Sequence, residues 1–380
     1  VNNFGTVQEI WDASGAALAT VDERPLNEGI RGGARNDDDR RRAIAWRPDG
    51  NGLGFLQREP APSQDTADAD ANDAEETEAD NARRSRKDRV MQWLPPFDST
   101  SLNVVYASDR RIDAVEYSAD GRMLFLTETA RGTRHVYAVD LNSPEERYTL
   151  VRHRTRDFYD DPGSLMTTTG PRGGTVVRRS SDGRSVYLEG TQYFENPLEQ
   201  APRPFVDRIE IRTGEKERLF ESDADVYEQV IAVLDDDLRR LVVSRESSTM
   251  VPNSYLLDRQ GGKLRQLTRN RDHTPDLTAA RREVIEVTRV DGFSFQTRVT
   301  LPADYVEGTR LPALFWFYPR EYNDQEGYDR STRTYNKNRF PSIAPRSMEI
   351  LVRAGYAVVQ PDAPIVGPEG RMNDNYIPDL

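Results

Sequence analysis

The chain has 380 residues and a formal net charge of −12, with 36% hydrophobic and 31% charged residues. This is long enough for two or more globular domains, and the acidic balance argues against binding to nucleic acid or to an anionic membrane. The absence of cysteine excludes disulfides, cysteine nucleophiles and cysteine-based metal sites.

No apolar run approaches the roughly 20 residues that a membrane-spanning helix needs, and no signal peptide opens the chain. The composition therefore indicates a soluble chain without a transmembrane segment. Because the chain begins at Val1 and not at Met, trimming of its N-terminus stays open. The sequence does not indicate a cellular compartment.

Residues 1–283 contain a recurring pattern of a strand, a turn rich in Asp and Gly, and a second strand. Copies lie at 45–55, 115–125 and 177–187, and a weaker copy lies at 231–241. Each copy is followed by a further strand pair, at a period of roughly fifty to seventy residues, which is typical of the blades of a β-propeller. A β-sandwich or a set of unrelated hairpins is the alternative.

An acidic stretch interrupts this pattern between the first two copies. Residues 59–90 are dense in Asp, Glu and Ala and turn basic after Arg83. A segment of this composition cannot bury a core, so we expect a disordered insertion in this range.

Residues 284–318 open a different kind of domain. Two alternating β-branched runs flank Asp291-Gly292, a strong signal for a β-hairpin. The apolar run 311–318 then predicts a strand buried on both faces of a parallel sheet. A loop from Glu321 to about Phe340 follows.

The next segment predicts the second half of a βαβ unit. Residues 343–354 place apolar side chains near one helical face, Pro345 fits only the first turn, and Gly355 is a natural C-terminal stop. The run 356–360 predicts a second buried strand. A strand, a helix and a strand with short joints form a βαβ unit.

Two short runs in this segment carry a family resemblance. Residues 318–322 are Tyr-Pro-Arg-Glu-Tyr and residues 373–376 are Asn-Asp-Asn-Tyr. Together they resemble the prolyl oligopeptidase family of serine peptidases, and its glutamyl endopeptidase-like members in particular. The fold implied is mainly β: a β-propeller over 1–283, followed by the truncated start of an α/β-hydrolase domain over 284–380.

The resemblance implies a Ser-Asp-His triad, with the serine on a sharp strand-to-helix turn. No G-x-S-x-G motif occurs in the chain, and His135, His153 and His273 all precede the hydrolase segment. We therefore expect the triad to lie beyond Leu380 and this chain alone to be inactive. The missing remainder of the hydrolase domain would belong to a longer protein or to another chain.

One catalytic role can be assigned within this chain by the resemblance. Tyr318 stands at the end of the third strand of the hydrolase segment, where the family has a tyrosine hydroxyl in its oxyanion hole. A neutral O–H donor suits that task, and the alternative is that Tyr318 only packs the strand end. Arg320 and Glu321 either contact substrate or form a solvated salt bridge.

The leading hypothesis is thus part of a serine peptidase that hydrolyses peptide bonds in short peptides, with the propeller restricting substrate access. A non-catalytic propeller that serves as an interaction module is the alternative, and an ester-hydrolysing enzyme is a third possibility. The expected partner is a peptide substrate, with no nucleic acid and no membrane. No metal or organic cofactor is expected, since no His, Asp and Glu cluster has ligand spacing. A glutamyl preference is implied by the resemblance alone.

Overall fold

The computed structural model describes residues 4–24, 26, 40–60 and 86–379. The chain forms two compact units. The first comprises Val1–Glu189 and Asp207–Glu217, and the second comprises Gly190–Val206 and Arg218–Leu380. The division into domains at 1–283 and 284–380 stays a prediction.

Before residue 270 the described residues form an antiparallel hairpin, then four four-stranded sheets, and a further hairpin that lies between the first two strands of the third sheet. In the first, second and fourth sheets each strand pairs with its neighbour in sequence, which is the order of a propeller blade. The strands are β1 (Thr6–Trp11), β2 (Ala17–Arg24); β3 (Arg42–Trp46), β4 (Leu53–Arg58), β5 (Asp88–Trp93), β6 (Leu102–Ser108); β7 (Ala114–Tyr117), β8 (Met123–Ala130), β9 (Thr133–Asp140), β10 (Arg147–Arg154); β11 (Ser164–Leu165), β12 (Thr167–Thr169), β13 (Thr175–Val177), β14 (Ser185–Gln192), β15 (Arg203–Glu210), β16 (Lys216–Glu221); β17 (Tyr227–Val233), β18 (Arg240–Glu246), β19 (Asn253–Asp258), β20 (Lys263–Gln266).

The third sheet has the order β11-β14-β15-β16, and β12 and β13 pair separately as the additional hairpin. The predicted strand–turn–strand pattern is nevertheless kept there, because an isolated bridge joins Arg179 to Val186 across the turn. The predicted mainly β fold is confirmed, and sheets with the strand order of propeller blades lie before residue 270.

The second and third copies of the repeated turn share one chemistry. In the third copy the Ser180 hydroxyl and the Arg184 N–H donate to Asp182 Oδ1, at 2.6 and 3.0 Å. Gly183 follows with φ +70°, a conformation that glycine adopts without strain. The carboxylate thereby closes the turn, which explains the recurring Asp-Gly pair.

The insertion predicted over 59–90 falls mainly on residues 61–85, which lie outside the described residues. Strand β5 begins at Asp88, inside the predicted range. The Asp88 side chain is fully buried and pairs with Arg42, and it also accepts a hydrogen bond of 2.9 Å from Ile112 N. This carboxylate therefore ties the first sheet to the segment that leads into the second.

The second unit also contains a mixed sheet with the order β21-β22-β25-β23 and a two-stranded sheet of β24 and β26. Strands β23 and β25 are parallel, whereas β22 pairs antiparallel with β21 and β25. The elements are α1 (Pro275–Thr278), β21 (Arg281–Thr288), β22 (Ser294–Leu301), β23 (Ala313–Phe315), β24 (Glu321–Tyr322), α2 (Gln325–Thr332), β25 (Ala357–Pro361), β26 (Ile365–Val366), α3 (Tyr376–Asp379), and the 3-10 helices Met348–Ala354 and Met372–Asn375. In the first unit, described 3-10 helices span Ser99–Ser101 and Phe158–Asp160.

The hairpin over Asp291-Gly292 and the parallel pairing of the two apolar strands are confirmed. The helix predicted over 343–354 is wrong in type and start, because a 3-10 helix begins only at Met348. Pro345 lacks an N–H, and the Ser347 hydroxyl caps the helix by accepting from Glu349 N. Gly355 ends the helix with φ +79°, as predicted.

The expectation that 311–318 is buried on both faces is wrong. Only Ala313–Phe315 forms the strand, and the rings of Phe315 and Tyr318 are 65% and 82% exposed. Strand β23 is the edge of its sheet, so among the described residues no further strand flanks it. The loop predicted from Glu321 to Phe340 also contains α2, which Asp324 caps by accepting from Gly327 N at 2.8 Å.

In the parts of the chain that the structure describes, none of the helices has the length and apolar character required to cross a bilayer.

Candidate functional site

A cavity of about 360 Å³ lies in the second unit, beside the carboxyl ends of the parallel strands β23 and β25. Open α/β sheets bind their ligands at this edge. Its wall combines aromatic rings and hydroxyls with two arginines and one carboxylate: Trp316, Tyr318, Arg298, Arg320, Ser331 and Asp362. The cavity therefore offers an apolar surface together with hydrogen-bonding and charged groups.

Tyr318 belongs to this wall. The chain leaves β23 after Phe315, and Trp316 N still donates to Val359 O at 2.9 Å, which holds the strand end against β25. Tyr318 follows as a largely exposed ring. The residue that the resemblance selects thus lies at the strand end and faces a cavity, although its role as an oxyanion donor stays a prediction.

Arg320 and Glu321 separate at this point of the chain. Arg320 lines the cavity, whereas Glu321 begins β24 and pairs in parallel with Ile365 of β26. Over residues 86–379 the structure shows no ion pair between these two side chains. The solvated salt bridge considered as an alternative is not formed.

Tyr328, on α2, contacts Asp362, one of the residues that line the cavity. Its side chain is 2% exposed and its ring packs edge-on against Phe293 and Tyr322, with ring centroids 5.6 and 5.3 Å away. The Tyr328 hydroxyl accepts from Gln296 N at 2.6 Å and donates to Asp362 Oδ2 at 2.9 Å. Burial raises the pKa of Tyr328, so the phenol stays neutral and remains a donor.

Asp362 follows directly after β25 and presents its carboxylate to the cavity. Oδ2 is held by Tyr328, and Oδ1 receives a hydrogen bond of 3.3 Å from Arg298 Nη2. The sequence analysis missed Tyr328 and Asp362. An acidic residue immediately after the second predicted parallel strand is the signal that could have identified Asp362.

The histidines lie elsewhere. His135 stacks on Tyr137 with ring centroids 5.7 Å apart, and His153 Nε2 contacts Asp157 O at 2.8 Å, both in the first unit. His273 precedes α1 and does not line the cavity. Among the described residues, no group of three or more His, Asp or Glu is placed to hold a metal ion.

Comparison with curated proteins shows similarity over almost the whole chain. It is 27% identical over 394 aligned residues, covering 98% of this chain, to a probable chloroplastic glutamyl endopeptidase of Arabidopsis thaliana. It is 26% identical, again over 98% of this chain, to the protein of the same name in Oryza sativa subsp. japonica. These alignments confirm the resemblance to glutamyl endopeptidase-like peptidases. The chain spans 38% and 39% of the two relatives' lengths. No family model matches.

Peptidases are also among the solved structures that are similar to this chain. Dipeptidyl peptidase 4 of Porphyromonas gingivalis is 13% identical, with a TM-score of 0.44 over 85% of this chain and 49% of its own. Oligopeptidase B of Leishmania major is 12% identical, with a TM-score of 0.40 over 84% of this chain and 44% of its own.

Proposed function

We propose that this chain is part of a prolyl oligopeptidase-type serine peptidase that hydrolyses peptide bonds in short peptides. The similarity to two probable glutamyl endopeptidases covers 98% of the chain. On the basis of their name, the proposal includes glutamyl bonds among the substrates. The blades would restrict which peptides reach the reacting centre.

The observation that carries the proposal is the position of Tyr318. Its side chain lines a cavity at the carboxyl ends of two parallel strands, which is where an acyl-transfer site of this fold needs an oxyanion donor. When a nucleophile attacks a peptide carbonyl, negative charge develops on the carbonyl oxygen. A neutral phenol O–H can donate to that oxygen and stabilise the transition state.

The proposal places the nucleophile and the other triad residues outside these 380 residues. No G-x-S-x-G motif occurs in the sequence and every histidine precedes residue 284, whereas the family order is Ser, Asp, His. Residues 1–380 alone should therefore neither cleave peptides nor react with a fluorophosphonate. Cleavage and labelling by this purified chain would contradict the proposal.

The gene sequence past the codon for Leu380 tests whether the same reading frame encodes the triad residues. A reading frame that continues into G-x-S-x-G, with an Asp and a His later, is expected, and the longer product should be labelled. A stop codon directly after Leu380 would favour the non-catalytic interaction module.

In a longer gene product that the fluorophosphonate labels, Tyr318→Phe should lower kcat by about 10²–10³-fold with little change in KM. The substitution removes a hydrogen-bond donor that is used mainly in the transition state. Tyr356→Phe is the matched control, because Tyr356 is a partly exposed ring that does not line the cavity. An unchanged kcat in Tyr318→Phe would remove the oxyanion role.

A further inference from the structure

Three charged side chains line the cavity, and two of them already satisfy each other. Arg298 donates to Asp362 Oδ1 at 3.3 Å, and the other oxygen of Asp362 receives the Tyr328 hydroxyl at 2.9 Å. Arg320 is different: within residues 86–379 its guanidinium has neither an ion pair nor a side-chain hydrogen bond. The cavity thus holds one positive charge that no group of the described chain neutralises.

The surroundings of Arg320 fit a small anion carried by a larger molecule. Tyr318, Tyr322 and Tyr335 line the same cavity with rings and hydroxyls, and Ser331 adds a further hydroxyl to its wall. A guanidinium presents parallel N–H donors that match the two oxygens of a carboxylate. The acidic neighbour Glu321 does not line the cavity, so it does not compete there.

We propose that Arg320 binds a carboxylate of the peptide that occupies this cavity, and that it is a specificity-determining residue for an acidic group of the substrate. The peptide itself rests on the proposed function, whereas the carboxylate rests on the charge of the cavity. The carboxylate could come from a glutamate side chain or from the C-terminus of a short peptide. Both sources present the same planar anion to the guanidinium.

The test measures peptide binding to residues 1–380 by isothermal titration calorimetry, so that it does not require a nucleophile. Acetyl-Ala-Ala-Glu-Ala-Ala-amide carries one carboxylate, and the peptide with Gln in place of Glu carries none. The glutamate peptide should bind about tenfold more tightly, as expected for one exposed charge-assisted interaction. Arg320→Gln should abolish this difference and leave the binding of the Gln peptide unchanged.

Two further variants sharpen the result. Arg310→Gln removes an exposed arginine that does not line the cavity, and it should keep the tenfold preference. Arg320→Lys should show an intermediate preference, because lysine keeps the charge but lacks the planar fork. Because Arg320 is exposed, circular dichroism and the thermal midpoint should be the same in all variants.

The source of the carboxylate is read from a third peptide, Ala-Ala-Gln-Ala-Ala with an acetylated N-terminus and a free C-terminus. If only this peptide depends on Arg320, the residue binds a C-terminal carboxylate; if only the capped glutamate peptide does, it binds an acidic side chain. A preference that survives Arg320→Gln, equal affinity for all three peptides, or no binding of any peptide would overturn the proposal.

Failure of the carboxylate site and failure of the peptidase function are distinguishable. Carboxylate preference through Arg320 without fluorophosphonate labelling of the longer product would leave the site and remove the peptidase. Labelling of that product without any dependence of peptide binding on Arg320 would do the reverse.

Discussion

Two apolar stretches of this molecule have opposite surroundings. In β8, Leu124, Phe125 and Leu126 are at most 1% exposed, and alternate side chains join two different core clusters on the two faces of the sheet. In and after β23, Phe315 and Trp316 are 65% and 49% exposed. Strand β8 lies between β7 and β9, whereas β23 is an edge strand. An apolar sequence therefore sets what a strand can bury, and its neighbours decide whether it does.

Charged groups differ in the same way. In the blade sheets the buried Asp88 is paired with Arg42, whereas the cavity beside β23 and β25 leaves Arg320 without a partner among the described residues. A buried charge needs its partner to remain stable, but an exposed charge in a cavity is available for a ligand.

The largest difference is expected when a phenylalanine is replaced by alanine in β8 and, separately, in β23. Phe125→Ala should lower the free energy of unfolding by about 3–5 kcal/mol, because it opens a cavity in a close-packed core. Phe315→Ala should change it by no more than about 0.5 kcal/mol, since most of that ring is already in water. Urea unfolding followed by circular dichroism gives both values. Equal losses would show that β23 is covered in solution.

Removing one partner of an ion pair should come next. Arg42→Met leaves the fully buried Asp88 carboxylate with the Ile112 N–H and should cost about 3 kcal/mol. Arg353→Met breaks the exposed pair with Asp276 and should lower the free energy of unfolding much less, because solvent screens that pair. Chemical denaturation of the two variants compares them. A cost for Arg42→Met as small as that for Arg353→Met would mean that water reaches Asp88.

A smaller loss, about 1–3 kcal/mol, is expected for Tyr328→Phe, which leaves Gln296 N without its acceptor. The pKa of Tyr328 is raised in the folded state, first by burial, so its contribution is complete below pH about 10 and is lost as the pH rises further. Between pH 8 and 11, the thermal midpoint of unfolding should therefore fall more steeply for the wild type than for Tyr328→Phe. Parallel curves would contradict a buried neutral phenol, and Tyr356→Phe serves as the control.

The smallest effect concerns the repeated turns. The Ser180 hydroxyl and then the Arg184 N–H lower the pKa of Asp182, so its stabilising contribution is present above the unfolded pKa of about 3.9 and is lost as the pH falls below it. Asp182→Asn keeps an acceptor for the turn but should remove this part of the acid dependence between pH 5 and 2. Adding Ser180→Ala to Asp182→Asn should cause no further change in that slope. A pH profile of Asp182→Asn identical to the wild type would exclude the carboxylate as a source of stability.

Local signals predicted local structure well. The Asp-Gly turns, the hairpin over Asp291-Gly292 and the stop at Gly355 were all found where the sequence placed them. These features depend on backbone conformations that only a few residue types adopt easily. The helix over 343–354 was predicted less well, because it begins only at Met348, after Pro345 and the capping Ser347, and is a 3-10 helix.

The sequence alone was enough to predict the mainly β fold, the Asp-Gly turns, and Tyr318 as a residue that follows an apolar strand. Period-2 patterns, turn residues and short runs are local properties of a chain. Three outcomes depended on tertiary packing: the run after β23 is exposed, Tyr328 holds Asp362 in place, and Arg320 faces a cavity without an ion-pair partner among the described residues. Those outcomes depend on which distant segments come to lie side by side. Burial and charge pairing belong to that arrangement, and no single stretch of sequence contains them.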